Sequence, residues 1–164
     1  MDLSKFKLED VLLAAIKSEV EAKEVYDKLS WKVRTAHLKG RLEFLAKEEG
    51  KHKETLEELF KDLCPGKPVR LPKKTTVPIP SIVVENKSPF VSVVLEGAMR
   101  AEKAAKDFYD SMARLFDDDV DVREILESLA LMEAGHYRFL EQEIERVKHE
   151  EDFVIDWPMM HSGP

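Results

Sequence analysis

Apolar residues recur at helical spacing in four stretches of the chain, and polar residues occupy the positions between them. This pattern predicts four amphipathic helices at about 7–34, 36–63, 88–116 and 120–149. Thr35 is placed to cap the start of the second helix. Because so few residues separate the first two helices, we expect them to be antiparallel neighbours.

Residues 64–88 break the helical pattern with five prolines: Pro65, Pro68, Pro72, Pro78 and Pro80. Proline lacks the backbone N–H that a helix or a central strand requires, so we expect neither here. The apolar, β-branched sequence TTVPIPSIVV predicts an extended strap lying on the bundle. The segment is far longer than the roughly 2–8 residues that join neighbouring helices, and it can run back along a helix of about 40 Å. The predicted fold is all-α, a ferritin-like four-helix bundle with a long crossover between the second and third helices.

The ends of the last two helices carry local sequence signals of their own. Ser88-Pro89 is a cap followed by a proline in the first turn, which favours a helix start. Acidic residues before the fourth helix favour its positive N-terminus: Asp117, Asp118, Asp119 and Asp121. The tail at 150–164 is apolar, and we predict that it docks on the bundle or on a second subunit. Residues 1–164 are expected to form a single domain.

Four glutamates lie inside the apolar stripes and not on the charged faces: Glu19, Glu49, Glu102 and Glu133. Two of them begin a Glu-x-x-His pair, Glu49 with His52 and Glu133 with His136. Residues three apart in a helix share a face, so each pair directs a carboxylate and an imidazole to one place. A single such histidine is more often a satisfied core residue, whereas a repeated pair favours metal binding.

The two halves of the chain repeat one another. The sequence AIKSEVEAKEVYDKLS lies 83 positions before AMRAEKAAKDFYDSMA, so Glu19 and Tyr26 correspond to Glu102 and Tyr109. The two Glu-x-x-His pairs are separated by 84 positions. The order of a glutamate helix followed by a Glu-x-x-His helix therefore occurs twice, and it is the strongest feature of the sequence.

Composition and charge narrow the possible partners. The net charge is −7, and no basic patch interleaves with aromatic residues, so nucleic acid is not an expected partner. The longest uninterrupted apolar run, Val11–Ile16, is too short to span a membrane. The N-terminal sequence MDLSKFKLED lacks the apolar core of a secretion signal, so we expect a cytoplasmic protein. A single cysteine, Cys64, excludes an intrachain disulfide and any four-cysteine metal site.

The residues inside the stripes suit a pair of divalent metal ions. Buried carboxylates are costly unless they are paired or bind metal. Four carboxylates carry four negative charges, which two divalent cations neutralise. Mixed carboxylate and imidazole ligands suit iron or manganese better than a thiolate-seeking metal. In carboxylate-bridged bundles, two helices supply one glutamate each and two supply Glu-x-x-His.

With these motifs the chain resembles the ferritin-like domain of the rubrerythrin family, of the erythrin type without a rubredoxin module. The resemblance covers roughly residues 7–149. It implies two irons with six ligands: Glu19, Glu49 and His52 for the first, and Glu102, Glu133 and His136 for the second. Manganese or another divalent metal could take the place of iron.

The resemblance also implies finer roles for some residues. Glu49 and Glu133 would bridge the two irons, and Tyr26 and Tyr109 would donate hydrogen bonds to the ligands. The alternative for each tyrosine is a core residue whose hydroxyl needs only some partner.

Two departures from the family pattern bear on activity. Full-length rubrerythrins carry a four-cysteine rubredoxin domain that supplies electrons, whereas this chain has only Cys64. They also carry a seventh carboxylate three residues after the glutamate of the third helix, where this chain has Ala105. Both departures argue against a rubrerythrin-style peroxidase, and neither affects metal binding.

Three functions fit these ligands. The leading one is a di-iron oxidoreductase that reacts with peroxide or dioxygen in oxidative-stress defence and draws electrons from a separate donor protein. The second is iron handling, as a ferroxidase, store or carrier. The third is a structural bundle whose metal only stabilises the fold. We also expect a homodimer, because twofold dimers are the commonest oligomers, with 64–88 as a hinge through which helix pairs could be exchanged.

Overall fold

The structure is a computed structural model that describes residues 2–79 and 91–150. Its secondary structure consists of four helices: α1 (Leu8–Ser30), α2 (Ala36–Leu63), α3 (Val91–Ala113) and α4 (Val120–Glu150). The described residues contain no strand, so the all-α prediction is confirmed. No helix in the described ranges is long and apolar enough to cross a membrane.

Two helices end earlier than the apolar pattern indicates. Helix α1 ends at Ser30 and not at 34, and α3 ends at Ala113 and not at 116. The apolar spacing runs past these ends because Val33 and Phe116, which belong to the following turns, also pack onto the core. The predicted start of α3 at 88–89 lies outside the described residues.

The turn before α4 is fixed by its acidic residues, as the sequence indicates. The side chain of Asp119 accepts a hydrogen bond from the backbone N–H of Val122 at 3.2 Å. This bond satisfies one of the free N–H groups in the first turn of α4. Thr35, in contrast, makes no side-chain hydrogen bond to the start of α2.

Contacts between side chains give the direction of each helix. The Tyr26 hydroxyl reaches Glu102, and the Tyr109 hydroxyl reaches Glu19, so α1 and α3 are antiparallel. Arg41 contacts Glu143 near the start of α2 and the end of α4, so these two helices are antiparallel as well. Short turns make α1–α2 and α3–α4 antiparallel pairs. Helices α2 and α3 are therefore parallel, which confirms the long crossover.

The first part of the crossover lies against the bundle. Val77 is almost fully buried, and Val69 and Ile79 pack against the core. Gly66 adopts a φ of 78° just after α2, a left-handed conformation that glycine reaches without strain. Positions 80–88 of the predicted strap lie outside the described residues, as do positions 151–164 of the predicted apolar tail.

The core consists of two apolar clusters, one toward each end of the bundle. The Leu12 cluster contains Leu12, Ile16, Leu56, Phe60, Phe108, Met112, Leu126 and Leu129 among others. The Leu42 cluster contains Leu29, Leu38, Leu42, Leu45, Val94, Leu95, Leu140 and Ile144 among others. Burial of one such side chain contributes about 1.5–3 kcal/mol. In every helix the glutamate or Glu-x-x-His pair falls between the residues of one cluster and those of the other.

Candidate metal centre

The layer between the two clusters holds six ionisable residues, and all six were predicted from the sequence as metal ligands. They are Glu19, Glu49, His52, Glu102, Glu133 and His136. None is more than 6% exposed. Ionisable side chains are rarely buried to this degree without a partner, so the layer is the leading candidate for a functional site.

Each Glu-x-x-His pair is held together by helical spacing. The Nδ1 atom of His52 lies 3.1 Å from Oε2 of Glu49, and Nδ1 of His136 lies 3.3 Å from Oε2 of Glu133. The two rings face each other, with centroids 5.2 Å apart and an interplanar angle of 18°. The two pairs thus meet across the α2–α4 contact.

Glu49 and Glu133 each direct one oxygen toward each histidine. Besides its own helix partner, His52 Nδ1 lies 2.9 Å from Oε1 of Glu133. Likewise, His136 Nδ1 lies 3.4 Å from Oε1 of Glu49. A carboxylate that divides its oxygens between two nitrogen donors is placed as a bridging ligand would be in a dinuclear site.

Glu19 and Glu102 each approach only one of the histidines. Oε2 of Glu19 lies 3.5 Å from Nδ1 of His52, and Oε2 of Glu102 lies 3.6 Å from Nδ1 of His136. This arrangement places them as terminal groups, one on each side of the two shared carboxylates.

The two predicted tyrosines also belong to this layer. The hydroxyl of Tyr26 donates to Glu102 and that of Tyr109 donates to Glu19, so each tyrosine holds the glutamate of the opposite half. Both rings are fully buried. Burial raises the pKa of both hydroxyls well above the usual value, and the facing glutamates act in the same direction. The tyrosines are therefore neutral hydrogen-bond donors at physiological pH.

Several buried polar atoms of the layer make no hydrogen bond of suitable geometry within the described residues, although the carboxylate oxygens and ring nitrogens lie only 2.9–3.4 Å apart. They are Oε1 of Glu49, both ring nitrogens of His52, both carboxylate oxygens of Glu133, and Nδ1 of His136. Buried polar atoms in native proteins nearly always have a partner. One donor atom from each of these four residues lies within 4.8 Å of the others, close enough to share a cation. The donor set therefore fits metal ions of the carboxylate and imidazole type.

Without metal, the glutamates divide into two classes. Burial raises the pKa of Glu19 and of Glu102 well above the usual value, which favours the protonated form of these two glutamates. Burial also acts to raise the pKa of Glu49 and of Glu133, but the two histidines oppose it and the pKa of each is lowered. The two shared carboxylates are therefore charged in the metal-free protein.

The histidines balance those charges. Burial acts to lower the pKa of His52, but Glu133, Glu19 and Glu49 outweigh it and raise the pKa to about 12. The pKa of His136 is raised in the same way against burial, by Glu102, Glu133 and Glu49. Two imidazolium ions thus face two carboxylates in the metal-free layer. Two divalent cations would balance four carboxylates and two neutral imidazoles equally well.

Ala105, which occupies the position of the family's seventh carboxylate, lies among apolar residues. Ala105 is only 8% exposed and belongs to the Leu12 cluster. The nearest ligand on its helix is Glu102, one turn before it. The part of the layer next to α3 therefore has no additional carboxylate at this position.

One buried ionisable residue was missed by the sequence analysis. Glu143 is 2% exposed, and its carboxylate lies 2.8 Å from Nε of Arg41 and 3.2 Å from Nε2 of His37. It lies in the α2–α4 contact on the Leu42 side of the layer. The repeat contains the signal that could have revealed it, because Glu143 lies 84 positions after Leu59, a core residue.

Comparisons with known proteins agree with this geometry. The profile of the family described as Rubrerythrin matches residues 10–144. A hypothetical protein from Pyrococcus furiosus is 32% identical, with a TM-score of 0.78 over 90% of this chain and 94% of that chain. A dodecameric thioferritin, the bacterioferritin-related protein from Bacteroides fragilis, is 23% identical, with a TM-score of 0.71 over 92% and 90% of the two chains. The last likeness shows the fold alone. No curated protein matches the sequence.

Proposed function

The chain belongs to the rubrerythrin family, and on that premise we propose that it is a di-iron carboxylate oxidoreductase. It reacts with peroxide or dioxygen, draws electrons from a separate donor protein, and serves oxidative-stress defence in the cytoplasm. Its metal ligands are the six buried residues of the layer, with Glu49 and Glu133 as the bridges. Manganese or another divalent metal would fit the same donors.

The observation that carries this proposal is the position of the two shared carboxylates. Glu49 and Glu133 each present one oxygen to His52 and one to His136, over distances of 2.9–3.4 Å. A single metal ion does not require such a division, whereas a pair of ions does. Two iron ions, when bound, supply the two electrons that reduce one peroxide molecule, with two protons, to two waters.

The chain's own residues give this centre its shape. The Leu12 and Leu42 clusters close the layer from both ends and exclude bulk water, which strengthens electrostatic interactions within it. Tyr26 and Tyr109 hold Glu102 and Glu19 by hydrogen bonds and so fix the terminal carboxylates. The neutral form of each tyrosine retains the proton that makes this bond.

A second candidate function is iron handling without net peroxide turnover. The observation that favours it is Ala105, which leaves no carboxylate for iron to move toward when its charge changes. In this case, iron would be oxidised once and then stored or passed on. The name of the Bacteroides fragilis neighbour, thioferritin, describes that protein and at 23% identity carries no function to this one.

The test is anaerobic reduction of the iron-loaded protein followed by rapid mixing with hydrogen peroxide. We expect two Fe(II) per chain to be oxidised for each peroxide consumed, because the reaction transfers two electrons. If both irons bind and remain Fe(II) for minutes, the oxidoreductase proposal is wrong and the metal is structural. A single oxidation, followed by release of Fe(II) when an added electron donor reduces the stored Fe(III), would identify the iron-handling function instead.

A variant at position 105 separates peroxidase activity from iron handling. Ala105→Glu restores a carboxylate one turn after Glu102, so we expect faster repeated peroxide turnover when an external electron donor is present. Ala105→Gln is the matched control, because it fills the same space without the charge. Equal turnover in both variants would show that the carboxylate at this position does not limit the reaction.

A further inference from the structure

The outer surface of α4 carries an apolar strip centred on Gly135. Between positions 124 and 146, the residues within about 60° of Gly135 around the helix form what we call the α4 face: Glu124, Ser128, Leu131, Met132, Gly135, Arg138, Phe139, Gln142 and Arg146. We propose that two copies of the chain pair through this face, with their α4 helices antiparallel about a twofold axis at Gly135.

Large apolar side chains on this face are exposed. Leu131 is 68% exposed and Met132 is 38% exposed, on neighbouring positions of α4. Phe139 stacks on Phe44 of α2 with ring centroids 5.6 Å apart, and Phe44 is itself 46% exposed. Clustered apolar residues on a surface mark an interaction site more often than scattered ones do.

The repeat within the chain supplies a control for this observation. The positions of α2 that correspond to Leu131, Met132, Gly135 and Phe139 are Lys47, Glu48, Lys51 and Thr55. Lys51 and Glu48 form an ion pair of 2.6 Å on that surface. At these four positions the surface of α2 is thus polar and suited to water, whereas three of the four equivalent positions of α4 carry large apolar side chains. The exposed apolar residue of α2, Phe44, stacks on Phe139 and is part of the same apolar surface. The fold itself does not require apolar residues at these positions.

Gly135 points to close approach of another backbone. A glycine inside a helix costs about 0.5–1 kcal/mol relative to alanine. No described part of the chain requires a glycine there, because a Cβ atom at this position would meet no atom within 4 Å. The backbone of Gly135 is helical and needs no left-handed conformation. A second helix crossing at this point would explain why a side chain is missing.

The order of residues along the α4 face is self-complementary. A twofold axis at Gly135 places Glu124, 11 residues before it, opposite Arg146 of the partner subunit, 11 residues after it. The same axis places Leu131 opposite the partner's Phe139, four residues from the axis on either side. At these two pairs of positions, opposite charges and apolar residues therefore meet, as a self-complementary isologous interface requires.

These three features favour a second copy over other occupants of the face. If the partner were a different protein, nothing would require residues before Gly135 to complement residues after Gly135 on the same helix. Arg146 remains half exposed even though its Nε lies 3.8 Å from Glu143, so it is available to a further carboxylate. The competing occupant is the chain's own segment 151–164. Exchange of charges between Glu124 and Arg146 distinguishes this occupant from a second copy.

The first experiment measures the mass of full-length, metal-loaded protein by analytical ultracentrifugation. We expect about twice the chain mass of 18.9 kDa at about 100 µM protein. Gly135→Leu should raise the dissociation constant about tenfold or more, because the added side chain separates the two backbones. Ala104→Leu is the matched control, since it adds a leucine to an exposed position of α3 and should leave the constant unchanged.

The second experiment exchanges charges. Glu124→Arg and Arg146→Glu should each weaken pairing, because each places like charges opposite one another, while an equimolar mixture of the two variants should pair again. That rescue would not occur if residues 151–164 covered the face. Wild-type protein that stays monomeric, or an assembly that Gly135→Leu leaves intact, would overturn the proposal. The Gly135→Leu test holds even if Arg146→Glu fails to fold beside Glu143.

Discussion

The α1–α2 half and the α3–α4 half of the molecule agree on their inner faces and differ outside them. Inside, each half contributes one terminal glutamate, one Glu-x-x-His pair and one tyrosine, and each tyrosine reaches the glutamate of the other half. Outside, the α4 face carries Leu131, Met132 and Phe139, where the equivalent positions of α2 carry polar residues. The proposed metal centre would explain the agreement, because both halves would supply the same donors to the same two ions.

A second difference lies in the α2–α4 contact, on either side of the centre. On the Leu42 side, Arg41 forms an ion pair with the buried Glu143. The equivalent positions on the Leu12 side are Ile125 and Leu59, which are apolar. The fold therefore accepts either an ion pair or two apolar residues in this contact. Only the layer between the two ends has the same residues in both halves.

The largest expected effect comes from removing a bridge. Glu49→Ala and Glu133→Ala should each lose most of both metal ions, because each carboxylate lies beside both histidines. If the halves are equivalent inside, the two variants should behave alike. Metal analysis of protein purified without oxygen gives the stoichiometry.

Glu54→Ala and Glu141→Ala are the matched controls for this comparison, since each removes an exposed glutamate from the same helix. Normal metal content in both bridge variants would reject the bridging assignment. Loss in only one of them would show that the halves are unequal at the centre.

Removal of the metal should lower stability by several kcal/mol, since a ligand at about 1,000 times its dissociation constant contributes roughly 4 kcal/mol. The effect should grow with pH. In the metal-free protein the pKa of Glu19 and Glu102 is raised above the ordinary 4.5, so folding takes up protons and stability falls as pH rises above that value. The contribution of His52 is present below pH 6.5 and is lost as pH rises toward 12.

Thermal melts of metal-free and metal-loaded protein at a series of pH values check this prediction. The gap between their melting temperatures should widen from mildly acidic to alkaline pH, because metal replaces protons on the same ligands. Equal melting temperatures with and without iron at neutral pH would show that these residues do not form a buried metal site.

A smaller effect is expected from the ion pair that distinguishes the two ends of the α2–α4 contact. Arg41→Ile should destabilise the protein by about 2–3 kcal/mol, because Glu143 stays buried with weaker partners. Arg41→Ile together with Glu143→Leu copies the apolar end and should restore stability to within about 1 kcal/mol of wild type. Chemical denaturation measures both. A double variant no more stable than the single one would show that the two ends are not interchangeable.

Much of this molecule could be read from its sequence because the pattern of candidate metal ligands repeats. A glutamate inside a leucine stripe is ambiguous once, but Glu19 and Glu102 occur at the same place in two copies of one pattern. The crossover followed from the length of 64–88 alone. In both cases the inference depends on a property of a long stretch of sequence, either a repeated pattern or the length of a segment, and not on one residue.

Other features depended on single residues, and the sequence did not reveal them. Glu143 is followed by Ile144 and Val147 of the core, and only its partners Arg41 and His37, about a hundred residues away, make its burial possible. Likewise, apolar spacing cannot mark where a helix ends when the next turn, as at Val33, also packs inward. Such details depend on long-range contacts and not on local periodicity.

The smallest expected effect compares the two tyrosines. Tyr26→Phe and Tyr109→Phe each remove one hydrogen bond to a terminal glutamate, and each should cost about 1 kcal/mol in the metal-loaded protein. Because the bonds are reciprocal between the halves, the two costs should be equal. Tyr137→Phe, on the half-buried outer side of α4, is the control. Denaturation of all three variants would show unequal tyrosines if the two halves differ at the centre.

The most direct test of the account is whether two irons occupy the layer as a coupled pair. Fe(II) is titrated into metal-free protein without oxygen, the protein is then oxidised, and Mössbauer spectra are recorded. Bridging by Glu49 and Glu133 predicts two irons per chain whose spins are coupled after oxidation. One iron per chain, or two irons that behave as isolated ions, would contradict it.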